Sequence, residues 1–154
     1  MNKYIGIVAA TVLLSLGMSS ASFAQTVQHR VLGQDRGHVA IVGTDGKVEW
    51  DADCPGTAHD IMMLPNGNIL LQTGGSNVVE MNRMRQIVWR WDAKPKAPYD
   101  GRVEVHAFQR LKTGDTMIAE SGNKRIIEVS PSGKIVREVP IQVDKPDPHR
   151  DTRM

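Results

Sequence analysis

The sequence predicts an all-β fold: β-propeller blades of four antiparallel strands, about three of them present, in an open or incomplete propeller. Three observations lead there. An internal repeat of 47 to 48 residues runs through the chain, turn-forming residues cut each repeat into short Val- and Ile-rich runs, and no segment carries a convincing helical period.

The repeat emerges when HDIMMLPNGNILLQTGGSNVVEMNRMRQIVWRW, from His59, is set above HAFQRLKTGDTMIAESGNKRIIEVSPSGKIVRE, from His106. His59 falls on His106, Gly67 on Gly114 and Gly75 on Gly122, each 47 residues apart. After one inserted residue Val79 falls on Ile127, Glu80 on Glu128 and Ile87 on Ile135, at a separation of 48. Each unit reads as four strands, A to D. Strand A follows the His, as in Ile61 to Leu64, and strand B is Ile69 to Gln72. Strand C is NVVEM or RIIEV, and strand D is QIVW or KIVR. Asn66-Gly67, between A and B, is expected to form a type I′ turn, in which both central residues need positive φ. Thr113-Gly114 is its equivalent, and Ser132-Gly133 marks the C–D turn of the later unit. The prolines of AKPKAPYDG and DKPDP fall between units, where they remove no ladder bond.

The two ends carry partial units. Residues 25–53 supply strands B to D of a first blade, aligning with the second at a separation of 39 that pairs Val39 with Val78 and Trp50 with Trp89. Residues 57–93 form a second blade and 104–143 a third. Residues 147–154 hold only a strand A, with His149 where His59 and His106 stand. Antiparallel units of this length are propeller blades, and typical propellers have about four to eight. About three are not expected to close alone. Either two copies form a six-bladed ring, a homodimer if the chain is full length, or the chain is the N-terminal fragment of a longer protein whose next blade starts at His149. The sequence reading favours the fragment.

Composition narrows the class. The 154 residues suit one domain, and a net charge of +2 from 19 Lys and Arg scattered among 17 Asp and Glu leaves no basic block for nucleic acid. Residues 1–24 read as a signal peptide: Lys3, the apolar run IGIVAATVLLSL, then SSASFA with cleavage expected after Ala24. That run is short of the roughly 20 residues a span needs, and no membrane span is expected after cleavage. An exported protein, periplasmic or secreted, is expected. Its one cysteine, Cys54, has no partner for an internal disulfide and is expected to be a packed small residue.

Some of these stretches also look familiar. ESGNKRIIEVSPSGKIV resembles the blade pattern of NHL repeats, while DGKVEW and QIVWRW resemble the strand D and tryptophan pattern of PQQ-like, quinoprotein-type propeller repeats. The resemblance covers most of residues 30 to 154 and implies the fold. It also implies a choice of activities, since both families include binding scaffolds, cofactor enzymes and hydrolases or lyases. NHL-like amidating lyases and arylsulfotransferase-like propellers use channel histidines, and quinoproteins bind PQQ.

The His at the head of strand A is the sharpest candidate site. In a propeller strand A is innermost, so His59, His106 and His149 are expected to ring one mouth of the channel, where imidazoles can bind a divalent metal. The other reading has each His hydrogen-bonding a neighbouring blade's loop and fixing blade spacing, and strand spacing could hold the rings too far apart for one ion. Arg110 and Arg153, also repeat-equivalent, suit a carboxylate, sulfate or phosphate ligand unless Glu104 or Asp151 partners them. Asp60 and Arg150 lie on or near the same strands. Glu120 and Arg125 read as a cross-strand ion pair, and Trp50, Trp89 and Trp91 as packing between blades rather than a stacking surface for PQQ. No G-x-S-x-G, P-loop or H-E-x-x-H motif occurs. The reading is a ligand-binding or protein-interaction module with its site at the channel mouth. The alternative is a metal- or His-dependent lyase, sulfotransferase or hydrolase, and a PQQ-type quinoprotein comes after that.

Overall fold

Residues 28–56 and 58–142 are described by the computed structural model. The signal segment, the strand A expected at 147–154, and with it His149, Arg150 and Arg153, lie outside them. Eleven strands follow in order: β1 (Val31–Asp35), β2 (His38–Val42), β3 (Val48–Asp53), β4 (Ile61–Met63), β5 (Ile69–Leu71), β6 (Asn77–Met81), β7 (Ile87–Asp92), β8 (Val105–Arg110), β9 (Thr116–Glu120), β10 (Arg125–Val129) and β11 (Ile135–Pro140). They form three antiparallel meanders, β1-β2-β3, β4-β5-β6-β7 and β8-β9-β10-β11. No helix occurs among the described residues, and none of the sheets closes on itself.

The sheets stack face to face, and the two-residue side-chain period decides which neighbour each residue meets. In the middle sheet Ile69, Leu71, Val79 and Met81 pack on Val39, Ile41, Ala52 and Cys54 of the first sheet. Their alternates Leu70 and Val78 pack on Val105, Phe108, Ile118, Ile127 and Val129 of the third. Because both faces are covered, β5 is buried at every position and reads as a continuous apolar run. Each such Ile or Leu contributes about 1.5–3 kcal/mol by burial. The outer strands show the opposite: β11 is exposed throughout, and charged residues such as Arg137 and Glu138 blunt its edge.

Five of the hairpin turns share one geometry that differs from the expected type I′. At Leu64 the carbonyl accepts from Gly67 N–H at 2.9 Å, and the Leu64 N–H donates to Asn68 O at 2.8 Å. The same pair of bonds recurs at Gly43, Asn82, Leu111 and Ser130. Only the second residue before the returning strand has positive φ (Gly46, Gly67, Arg85, Gly114, Gly133), while Asn66 does not. This is a type I turn followed by a left-handed residue. Pro65 fits it by fixing φ at the first central position. The turn with positive φ at both central residues lies instead at Arg36-Gly37, which joins β1 to β2.

That tight turn also corrects the alignment of the first sheet. The separation of 39 holds for β2 and β3, but Ile41 pairs with Leu32 while its counterpart Glu80 pairs with Leu70, a separation of 38. The shorter β1–β2 turn absorbs the difference. A one-residue slip would turn Leu32 away from the core, and it packs there.

Candidate functional site

The heads of the two described A strands converge. His59 stands two residues before β4 and His106 is the second residue of β8. Their rings lie 5.0 Å apart between centroids, tilted by 58°. The expected obstacle, rings held too far apart by blade spacing, is therefore absent for this pair. Glu104 completes the group, with its Oε2 3.7 Å from His106 Nε2. One donor atom from each of the three residues lies within 4.8 Å of the others.

Local structure explains the convergence. Glu104 and His106 flank Val105, which enters the core between the second and third sheets, and His106 stands at the irregularity where the β8–β9 register shifts between Val105 and Ala107. Val105 is held at both polar groups: its N–H donates to Gly75 O at 2.8 Å, and its carbonyl accepts from Gln72 Nε2 at 2.8 Å. Asp60 adds a tie between the A strands, accepting from Ile61 N–H at 2.9 Å and Phe108 N–H at 3.3 Å. The Asp60 carboxylate is thus bonded to backbone N–H groups of both strands.

The three side chains differ in exposure. His106 is 7% exposed, Glu104 18%, and His59 is open to solvent. Arg102 brings a positive charge to 3.3 Å from Glu104. Two nitrogen donors and one carboxylate suit a borderline divalent ion such as zinc. In a tetrahedral zinc site donors about 2.0–2.1 Å from the ion lie about 3.3–3.4 Å from one another. With its donor atoms within 4.8 Å, the group is looser than a closed site by up to about 1.5 Å, and binding would require the side chains to draw together. A His–carboxylate pair of this kind can also carry a proton to or from a ligand.

Arg110 stands apart from this group. It ends β8, and its guanidinium is committed to Glu80 at 2.7 Å, to Gly114 O at 3.2 Å and to the face of Trp89 at 5.4 Å. Glu80, not Glu104, is its partner. Glu120 and Arg125 form a buried cross-strand pair at 2.7 Å, and Glu120 also accepts from Trp91 Nε1 at 3.0 Å. Trp50 packs in the first interface, Trp89 and Trp91 in the second. Cys54 is buried, bonded to Gln72 O at 3.2 Å, and burial pushes its thiol up to about 11.

Sequence reasoning missed Glu104 as a member of the site. A repeat search could not find it, because residue 57, its counterpart 47 positions earlier, is Thr. The available signal was the closeness of Glu104 and His106 in sequence at the head of β8.

Three stacked antiparallel meanders with A strands converging at one edge define an open segment of a β-propeller. No protein-family model and no curated protein matches the chain. Solved structures do match. A streptogramin B lyase is similar at a TM-score of 0.53 and 12% identity, over 70% of this chain and 35% of that one. A catalytically inactive virginiamycin B lyase from Staphylococcus aureus with quinupristin gives 0.51 and 15%, over the same shares of 70% and 35%. A protein of unknown function from Bacteroides caccae gives 0.52 and 16%, over 73% and 42%. The chain spans less than half the length of each of these structures, and the likeness shows the fold.

Proposed function

We propose that this chain supplies part of an exported, NHL-like β-propeller whose channel mouth binds a ligand, with His59, His106 and Glu104 as the site and a divalent metal as the species they hold. The 5.0 Å approach of the two imidazoles beside a carboxylate carries the reading. Two ionisable side chains at the head of β8 and one before β4 meet there, with His106 the most buried of the three. His149, at the same repeat position, is a further candidate ligand, and Arg153 a candidate anion contact.

A second reading follows from the His106–Glu104 pair. A carboxylate 3.7 Å from an imidazole nitrogen can orient it as an acid or base, and two structural neighbours are lyases. Proton transfer on a bound ligand, with the metal polarising it, is the lyase-type chemistry this arrangement would support.

Zinc titration by calorimetry separates these from a purely structural pair. The wild-type chain is expected to bind one zinc ion, and His59→Ala, His106→Ala and Glu104→Gln are each expected to weaken binding at least tenfold while far-UV circular dichroism is unchanged. Equal affinity in all four folded proteins would reject the metal site and leave the histidines as an interblade contact.

A further inference from the structure

We infer that Gln72 is the positioning residue of this site: one buried side chain sets the spacing of His59, Glu104 and His106. The inference rests on the site proposed above, but its geometry stands separately. Gln72 is 0% exposed, a burial that a polar side chain tolerates only when its amide is satisfied. Its Oε1 accepts from the His59 N–H at 2.7 Å, and its Nε2 donates to the Val105 carbonyl at 2.8 Å. The amide therefore holds one imidazole-bearing residue on one side. On the other it holds the residue whose two neighbours are Glu104 and His106.

The backbone of Gln72 also bonds to the first sheet. Its carbonyl accepts from Gln34 Nε2 at 3.0 Å and from Cys54 Sγ at 3.2 Å. Gln34 Nε2 also lies 2.8 Å from Cys54 Sγ. All three sheets thus meet at one residue, and the chain of contacts runs from the first interface to the head of β8. Apolar packing does not require this. Gln72 directly follows Leu71, the last residue of β5, and a leucine or methionine there would fill the same space without bonding either strand head.

The two ends of the amide can be separated experimentally. Gln72→Glu is nearly isosteric and keeps an acceptor for the His59 N–H, but sets a carboxylate oxygen against the Val105 carbonyl. Gln72→Met removes both bonds. Gln34→Met serves as a control, since Gln34 reaches only the backbone of Gln72 and the Cys54 thiol.

Two readouts are taken on the full chain: zinc affinity by calorimetry, and the nuclear Overhauser cross-peak between the ring protons of His59 and His106, which needs no metal. The cross-peak is expected in wild type and in Gln34→Met and is lost in Gln72→Glu and Gln72→Met. Zinc affinity is expected to fall by about 10- to 100-fold in the two Gln72 variants, the usual effect of removing a group that orients ligands. Folded Gln72 variants that keep the cross-peak overturn the assignment, as does its loss in Gln34→Met, which would mark general loosening. Unfolding of both Gln72 variants overturns it too, because the residue would then serve the fold and not the site. If wild type binds no zinc, the metal reading falls while the cross-peak still decides the role of Gln72.

Discussion

Cys54 illustrates what a single buried residue can report. Burial raises its thiol from 9.0 to about 11, so the folded chain keeps the proton after the unfolded chain has lost it. The stabilisation this gives is complete below pH 9 and is lost as pH rises from about 9 to 11, by at most about 3 kcal/mol. Urea unfolding of wild type and Cys54→Ala is therefore expected to show a stability gap at pH 8 that narrows at pH 10.5. A gap independent of pH would mean that the thiol is solvated. The residue scale is also where the sequence was least informative about the site. Glu104 has no repeat equivalent of its own chemistry, and the equivalence of Gln72 with Gln34 emerges only at the separation of 38 that the β1–β2 turn sets. The bond that gives Gln72 its role reaches a residue 33 positions away.

At the scale of elements, the pairing of Glu80 on β6 with Arg110 on β8 joins neighbouring sheets. Glu80 is buried, accepts from Asn68 Nδ2 at 2.6 Å, and meets Arg110 at 2.7 Å. Removing one member leaves the other charge desolvated, at a cost of about 3–5 kcal/mol, whereas removing both can be nearly neutral. Arg110→Leu and Glu80→Leu are each expected to lower the urea midpoint strongly, and the double variant to be more stable than either. Additive losses would place the pair in water. Strand identity and order were legible because Val- and Ile-rich runs alternate with turn residues. Turn type was not: Asn-Gly suits two hairpin geometries, and Pro65 together with the Leu64–Asn68 bond selects the one with a single left-handed residue.

For the whole molecule, the stack has two faces that no other sheet covers among the described residues. On the first sheet Val31, Val42 and Val48 are cross-strand neighbours turned away from the core, with Val31 55% and Val48 61% exposed. On the third, Met117 and Ile126 lie on the face opposite Ile118 and Ile127. Uncovered apolar sheet faces promote association. Val31→Lys with Val48→Lys is expected to leave stability within about 0.5 kcal/mol per site and to reduce the mass measured by light scattering at high concentration. Unchanged scattering would move the adhesive surface to the third sheet.

The sequence by itself determined the repeat, the four-strand unit and the faces of the strands, because hydrophobic alternation and turn chemistry are local properties written into neighbouring residues. It also placed His59 and His106 at equivalent strand heads. Only the tertiary structure decided that their rings approach to 5.0 Å, that Glu104 joins them while Arg110 is taken by Glu80, and that Gln72 ties three sheets together. Those facts depend on how far one sheet is rotated and shifted against the next. That offset is set by the summed packing of two interblade cores, and no short stretch of sequence encodes it.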